Sequence, residues 1–286
     1  MMHEHLTLIV GERTENHARM MLQAGAASGI AEIIGVACGP YCDFAKTLTA
    51  DFTFKPKAGS VEALLIEPCY WTPQLPFWYD LRLRLLMQDG SERQEVVPVG
   101  LRRWYCDGRD FRLESKRVVL RGLRHDSPTK NDLQHAREFE TVLVVDNPTA
   151  EVCQSASRIG VPLVADLRDN ELSWDEVFRQ LDWSPAVLLL LLSVDQLKVM
   201  SDAERPRQSF VAVRVGANDP QPAVKCDVYT VELASDERPP IWLATCGKPV
   251  IAIRKEAASE ISTARAGCDR LQTELAPEFD LAGYFV

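Results

Sequence analysis

The chain of 286 residues is long enough for about two domains, each with its own core. Apolar residues make up 46% and charged residues 26%, the balance of a globular chain rather than a disordered or fibrous one. A net charge of -9 without a basic stripe excludes nucleic acid as a partner class, and anionic membrane surfaces with it.

The N-terminal Met1-Met2-His3-Glu4-His5 has neither a basic start nor a long apolar run. No signal peptide is visible, and a cytoplasmic location is expected. His5 to Val10 alternates and predicts a first strand. Residues 15–30 read two ways: Glu15 to Ala24 has helical composition, while Gly25, Gly29 and the small residues between them suggest a loop. Ala31 to Ala37, Leu48 to Phe54 and Val61 to Glu67 are further strands. Tyr79, Leu81, Leu83 and Leu85 alternate with Asp80, Arg82 and Arg84, the period of a half-buried strand. Gln88-Asp89-Gly90-Ser91 is a turn, Glu95 to Val99 continues the sheet, and Asp107-Gly108 turns a short hairpin. Short strands separated by such turns fit a sandwich, placed at residues 1–113. Its aromatic set, Tyr70, Trp71, Phe77, Trp78 and Tyr79, is expected in packing rather than on a sugar platform.

From residue 114 the pattern changes to short apolar runs separated by amphipathic segments. Strands are predicted at 118–122, 141–146, 161–166, 187–193, 209–215, 227–233, 249–254 and 280–286. Eight such strands fit a closed (β/α)8 barrel, trimmed because several connections are too short for a full helix. Helices are predicted at 150–159, 173–182, 195–204 and 259–275. The most apolar run, Val187 to Leu192, is too short to span a bilayer. The eight cysteines are scattered and are expected to be mostly buried thiols. Neither Cys38 with Cys42 nor His3 with His5 has a second pair at zinc spacing, so no metal and no cofactor is expected.

Across the junction, Trp71, Pro73, Pro76 and Tyr79 are followed by Gly100-Leu101-Arg102 and then by Phe111, Leu113, Lys116, Leu120, Arg121 and Gly122. This ordered set resembles the junction of glycoside hydrolase family 2, W-x-P-x-x-P-x-x-Y, G-[FL]-R and F-x-L-N-G-K-x-x-x-L-R-G. Glu114-Ser115 stands where the family has Asn-Gly. The resemblance implies an all-β immunoglobulin-like sandwich at 1–113 and a compact TIM-type (β/α)8 barrel at 114–286. It also implies a chain lacking the family's N-terminal sugar-binding domain and ending before the tryptophan that follows the segment matched by Gly283-Tyr284-Phe285-Val286.

A retaining glycosidase uses two carboxylates about 5–5.5 Å apart, and a barrel presents them at the C-terminal ends of its strands. The family's H-P-S-V-x-x-W-x-x-G-N-E segment aligns with Ser184-Pro185-Ala186-Val187, which places Asp195 at the acid/base position, with Val194 at the asparagine. As a plain structural residue, Asp195 would cap the helix that follows. The K-P-x-x-x-x-E segment aligns with Lys248-Pro249 and places Arg254 at the nucleophile, where a guanidinium cannot attack. Glu256 is the one carboxylate close enough to substitute by a shift of register. The family's F-N-x-x-R-x-S-H-Y-P segment places Leu143 at its arginine and Asp146 at its histidine. G-L-x-V-x-x-E places Asp166 at its final acid. Glu232 ends the sixth strand, and His125 resembles the histidine of R-G-x-N-x-H with one residue deleted.

The expected mouth therefore holds His125, Asp146, Asp166, Glu232 and Arg254, with Arg254 facing Asp195, Asp166 or Asp146 and holding that acid ionised. The leading expectation is a pseudoenzyme, a non-catalytic carbohydrate-binding or protein-interaction scaffold. The alternative is a working hydrolase that pairs Asp195 with Asp166 or Glu256. A third reading is a small-anion site on Arg254 with Arg168. Carbohydrate or another protein is the expected partner, and no nucleic acid or membrane.

Overall fold

The computed structural model describes residues 6–25, 28–170, 177, 181, 183–201, 205–254 and 260–286. By their internal contacts they fall into two compact units, Met1–Arg103 with Leu172–Pro185, and Trp104–Glu171 with Ala186–Val286.

The first unit is built from strands whose apolar residues recur at every second position. Strands β1 (Leu6–Arg13), β2 (His17–Ala24), β5 (Lys55–Lys57) and β6 (Ser60–Ile66) form one antiparallel sheet in the order β1-β2-β6-β5. Strands β3 (Ile30–Tyr41), β4 (Ala50–Thr53), β7 (Trp78–Met87) and β8 (Glu92–Val99) form a second, in the order β4-β3-β7-β8. Leu6, Leu8, Ala18, Met20 and Leu22 from the first sheet share one core with Tyr79, Leu81, Leu83 and Leu85 from the second. Each fully buried Leu or Met of such a core contributes about 1.5–3 kcal/mol.

Residues 17–24 correct the helical reading. Ala18, Met20 and Leu22 are fully buried at alternate positions, and β2 pairs with β1 on one side and β6 on the other. Pairing on both edges with one buried face outweighs the helix propensity of Ala, Met, Leu and Gln. The fourth strand starts at Ala50 and leaves out Leu48, which is 96% exposed.

In the second unit, β9 (Trp104–Asp107), β10 (Asp110–Leu113) and β11 (Lys116–Val118) make a small antiparallel sheet, turned at Gly108 in the left-handed region (φ 56°). Then β12 (Leu120–Arg124), β13 (Val142–Asp146), β14 (Leu163–Asp166), β15 (Val187–Leu192), β16 (Phe210–Gly216), β17 (Val228–Leu233), β18 (Val250–Arg254) and β19 (Gly283–Phe285) close in order into a parallel barrel. The eight predicted strands are these eight, within a few residues at each end. Val118, predicted to open the first barrel strand, belongs instead to β11 and pairs with Phe111 of β10.

Among the described residues, helices α1 (Lys130–Glu138), α2 (Ala150–Ile159), α3 (Val194–Val199) and α4 (Ile261–Leu275) follow β12, β13, β15 and β18. Only a 3-10 turn (Ile241–Ala244) lies between β17 and β18, so the barrel is trimmed. Most of the helix predicted at 173–182 lies outside the described residues. Helix α1 has no counterpart in the prediction, because only Leu133 and Ala136 are buried and the apolar stripe is sparse. Its signal was the capping box, in which the Thr129 hydroxyl accepts from the Asp132 N–H and the Asp132 carboxylate accepts from the Thr129 N–H.

The pleat sets which residues enter the barrel. Leu120, Val142, Val144, Val164, Leu189, Leu191, Ala212, Val228, Ile251 and Phe285 share its interior with Trp104 and Phe111 of the small sheet. Gly122 also faces inward, where a Cβ would lie 2.7 Å from the Phe285 ring, so only glycine lets that ring cover the strand. Its neighbour Arg121 faces out, donating to Asp269 at 2.7 Å and Gln272 at 2.5 Å on α4. The junction residues are thus framework in both units: Trp71 is 1% exposed and its N–H donates to the Leu101 carbonyl at 2.7 Å. All eight cysteines are free thiols, four buried and four partly buried. Burial pushes Cys153 and Cys106 up to about 12 and Cys268 up to about 11. Among the described residues, no helix is long and apolar enough to cross a membrane.

Candidate functional site

On five of the barrel strands the inward position nearest the C-terminal end carries charge. They are Arg124 on β12, Asp146 on β13, Asp166 on β14, Arg214 on β16 and Glu232 on β17. Each is an even number of residues along its strand from an interior apolar residue, as the pleat requires: Leu120, Val144, Val164, Ala212 and Val228.

Asp166 is the centre of this ring, its side chain 5% exposed. Arg124 Nη2 donates to its Oδ2 at 2.7 Å, and Arg168 Nη2 donates to the same oxygen at 2.6 Å. Arg168 Nε donates to Oδ1 at 2.8 Å. Burial alone would raise this carboxyl, but the hydrogen bonds and charges of Arg168 and Arg124 outweigh it and hold Asp166 below the usual aspartate range. Arg124 also donates through Nη1 to Asp146. Burial opposes the charge on Arg124 as well, and its bonds to Asp166 and Asp146 overcome that and raise it. Across the ring, Arg214 pairs with Glu232.

This arrangement has a consequence in acid. A carboxyl depressed in the folded state contributes stability in full above the unfolded value, about 4 for aspartate, and loses it as pH falls through the folded value. Thermal melts between pH 7 and pH 2 should therefore fall less steeply below about pH 4 in Asp166→Asn than in the wild type. Equal slopes would show that Asp166 carries none of the acid dependence.

The structure brings three of the predicted mouth residues into the ring: Asp146, Asp166 and Glu232. Arg254 is not among them. Ile251 and Ile253 take the inward positions of β18, so Arg254 turns outward, where Nη2 meets Glu274 Oε2 of α4 at 2.6 Å and Nη1 donates to the Ala234 carbonyl. The expected pairing of Arg254 with Asp195, Asp166 or Asp146 is replaced by these contacts.

Asp195 lies in the first turn of α3 with its side chain 91% exposed and 2.9 Å from Lys198 Nζ. It does not cap that helix. Ser193 does, accepting from the Gln196 N–H at 3.2 Å while the Gln196 side chain accepts from the Ser193 N–H at 2.8 Å. His125 sits at the end of β12 with Nε2 3.7 Å from Asp132 of the α1 capping box. Glu256, with His3 and His5, lies outside the described residues. Among those described, no group of three His, Cys, Asp or Glu side chains gathers that could hold a metal.

Two members of the ring, Arg124 and Arg214, were missed from sequence. Ending the first barrel strand at Gly122 left Arg124 out, although Leu120, Gly122 and Arg124 share one parity. Arg214 was visible as a lone charge between Val213 and Val215 inside a predicted strand.

No family model matches the sequence, and a search of curated proteins finds no match. The solved structures do. β-Glucuronidase 2 from Bacteroides uniformis, bound covalently to cyclophellitol-6-carboxylate aziridine, aligns over 98% of this chain and 45% of its own at 14% identity, TM-score 0.63. A β-glucuronidase from Ruminococcus gnavus in complex with D-glucuronic acid aligns over 98% and 60% at 10% identity, TM-score 0.67. A glycosyl hydrolase family 2 member from Bacteroides cellulosilyticus aligns over 99% and 43% at 12% identity, TM-score 0.59. In fold the chain resembles the glycoside hydrolase family 2 enzymes. It spans between 43% and 60% of the length of these three. Identities this low carry the fold of family 2 and not its chemistry, which depends on the site.

Proposed function

We propose that this chain is a glycoside hydrolase family 2-like protein that has lost the catalytic nucleophile, with Arg254 at its position, and serves as a non-catalytic carbohydrate-binding or interaction scaffold. The observation that carries this reading is that, among the described residues, each inward carboxylate of the mouth is paired with an arginine: Asp146 with Arg124, Asp166 with Arg124 and Arg168, Glu232 with Arg214. Glycoside cleavage needs a carboxylic acid protonated near neutrality, and a neighbouring guanidinium works against that state. Asp195, the acid/base position by alignment, has a side chain in solvent on the outer helix layer. Carbohydrate as the partner class is supported by the Ruminococcus gnavus structure, which holds D-glucuronic acid. The sandwich is read as immunoglobulin-like, supported by two four-stranded antiparallel sheets over one core.

The test is hydrolysis of chromogenic aryl glycosides of both anomers by the wild type and by Asp195→Asn. No turnover by either protein is expected, with retention of glycans by direct binding assay. Turnover that disappears in Asp195→Asn would make Asp195 a true acid/base and overturn the reading. Turnover unaffected by that change would overturn it in favour of a different carboxylate pair.

A further inference from the structure

Resting on the reading of a non-catalytic mouth, we propose that the β12–β13–β14 corner of the barrel binds a small oxyanion, the phosphate, sulfate or carboxylate group of a small molecule, on the Arg124 guanidinium in exchange for Asp146. Two guanidiniums, Arg124 and Arg168, converge on Oδ2 of the buried Asp166 at 2.7 and 2.6 Å, and Arg168 also takes Oδ1 at 2.8 Å. That carboxylate is fully engaged, yet it neutralises only one of the two cations. Asp146 balances the other.

Asp146 is a different kind of partner from Asp166. Its side chain is 47% exposed, and Arg124 is 40% exposed. An ion pair at that exposure contributes little and exchanges readily with solvent and solutes. Arg124 does not share that freedom, because its other nitrogen is held from inside the barrel by Asp166. A guanidinium fixed in orientation, with one edge toward solvent, suits fork-like recognition of an oxyanion, since the ordering cost is already met. Asp146 thus acts as an internal competitor for the ligand's place, and it swings into water when the ligand binds. No covalent step is involved.

The probes are inorganic phosphate, sulfate and acetate, titrated calorimetrically into the full chain at constant ionic strength, with chloride as the reference. Wild type should bind at least one of them saturably but weakly, and the tightest of the three names the ligand's group. Asp146→Asn, which keeps the shape and removes the competitor, should bind about fivefold more tightly. Arg124→Gln should abolish saturable binding. Arg124→Lys, which keeps the charge and loses the fork, should bind less tightly than wild type, and its thermal melt reports whether the fold is intact. Asp146→Asn binding no more tightly than wild type, or Arg124→Gln binding equally well, would overturn the proposal. Glycoside turnover would remove the non-catalytic reading and leave this result untouched, because the anion titrations contain no glycoside.

Discussion

Asp166→Ala is expected to lower the stability of the barrel unit by about 3 kcal/mol, seen as a lower urea midpoint with little change of slope. The side chain is 5% exposed and receives three arginine N–H bonds at 2.6 to 2.8 Å. Removing it leaves the Arg168 guanidinium, 19% exposed, without its counter-charge in a largely dry position. Breaking one side of a buried pair costs about 3–5 kcal/mol, and the lower end applies because Arg124 can turn toward water. Because the cost comes from stranded charge, removing the stranded partner should recover part of it. Asp166→Ala combined with Arg168→Met is expected to be more stable than Asp166→Ala alone. A loss under about 1 kcal/mol for the single change would mean that water already screens this site.

Trp183→Ala is expected to cost about 3–5 kcal/mol, and to cost it in the sandwich. Trp183 is 5% exposed and belongs to the same apolar core as Leu8, Met20, Tyr79 and Leu83. In sequence it lies between the barrel strands β14 and β15, but the segment Leu172–Pro185 belongs to the first unit. That segment is tied down at its end as well: buried Arg102 donates to the Pro185 carbonyl at 3.0 Å, and a Cβ on Gly100 would lie 2.4 Å from the Pro185 ring. Hydrogen exchange should therefore show faster amide exchange in β2, β6 and β7 than in β15 and β16 when Trp183 is truncated. Trp183→Phe should recover most of the loss. Faster exchange confined to the barrel strands would contradict the assignment of this tryptophan to the sandwich core.

Much of this architecture was legible because it rests on features that sequence displays directly. The barrel strands are runs of apolar residues at regular spacing. The junction motif is made of residues with tight steric demands, such as Gly122 under Phe285, Gly100 against Pro185 and the buried Trp71. Strand β2 was obscured because its residue types favour helix, and only the alternation of Ala18, Met20 and Leu22 betrayed it. The site was harder to read, because a motif alignment gives a position and not a side-chain direction. Arg254 falls at the nucleophile by count, but Ile253 takes the inward place beside it. Asp195 falls at the acid/base position by count, but Ser193 and Gln196 start a helix there that leaves it in solvent. Arg124, which pairs with Asp146 and Asp166, was hidden by the opposite fault, since its strand was ended two residues early at Gly122.

Side-chain carboxyl titration by NMR tests most directly whether Asp166, the buried carboxyl of the mouth, is ionised and committed to arginine. Asp166 should titrate below the ordinary aspartate value, and Arg124→Gln should move it upward, because one of the two guanidiniums holding it down is gone. Asp166 titrating near neutrality would contradict it, because that is the state a general acid for glycoside cleavage requires.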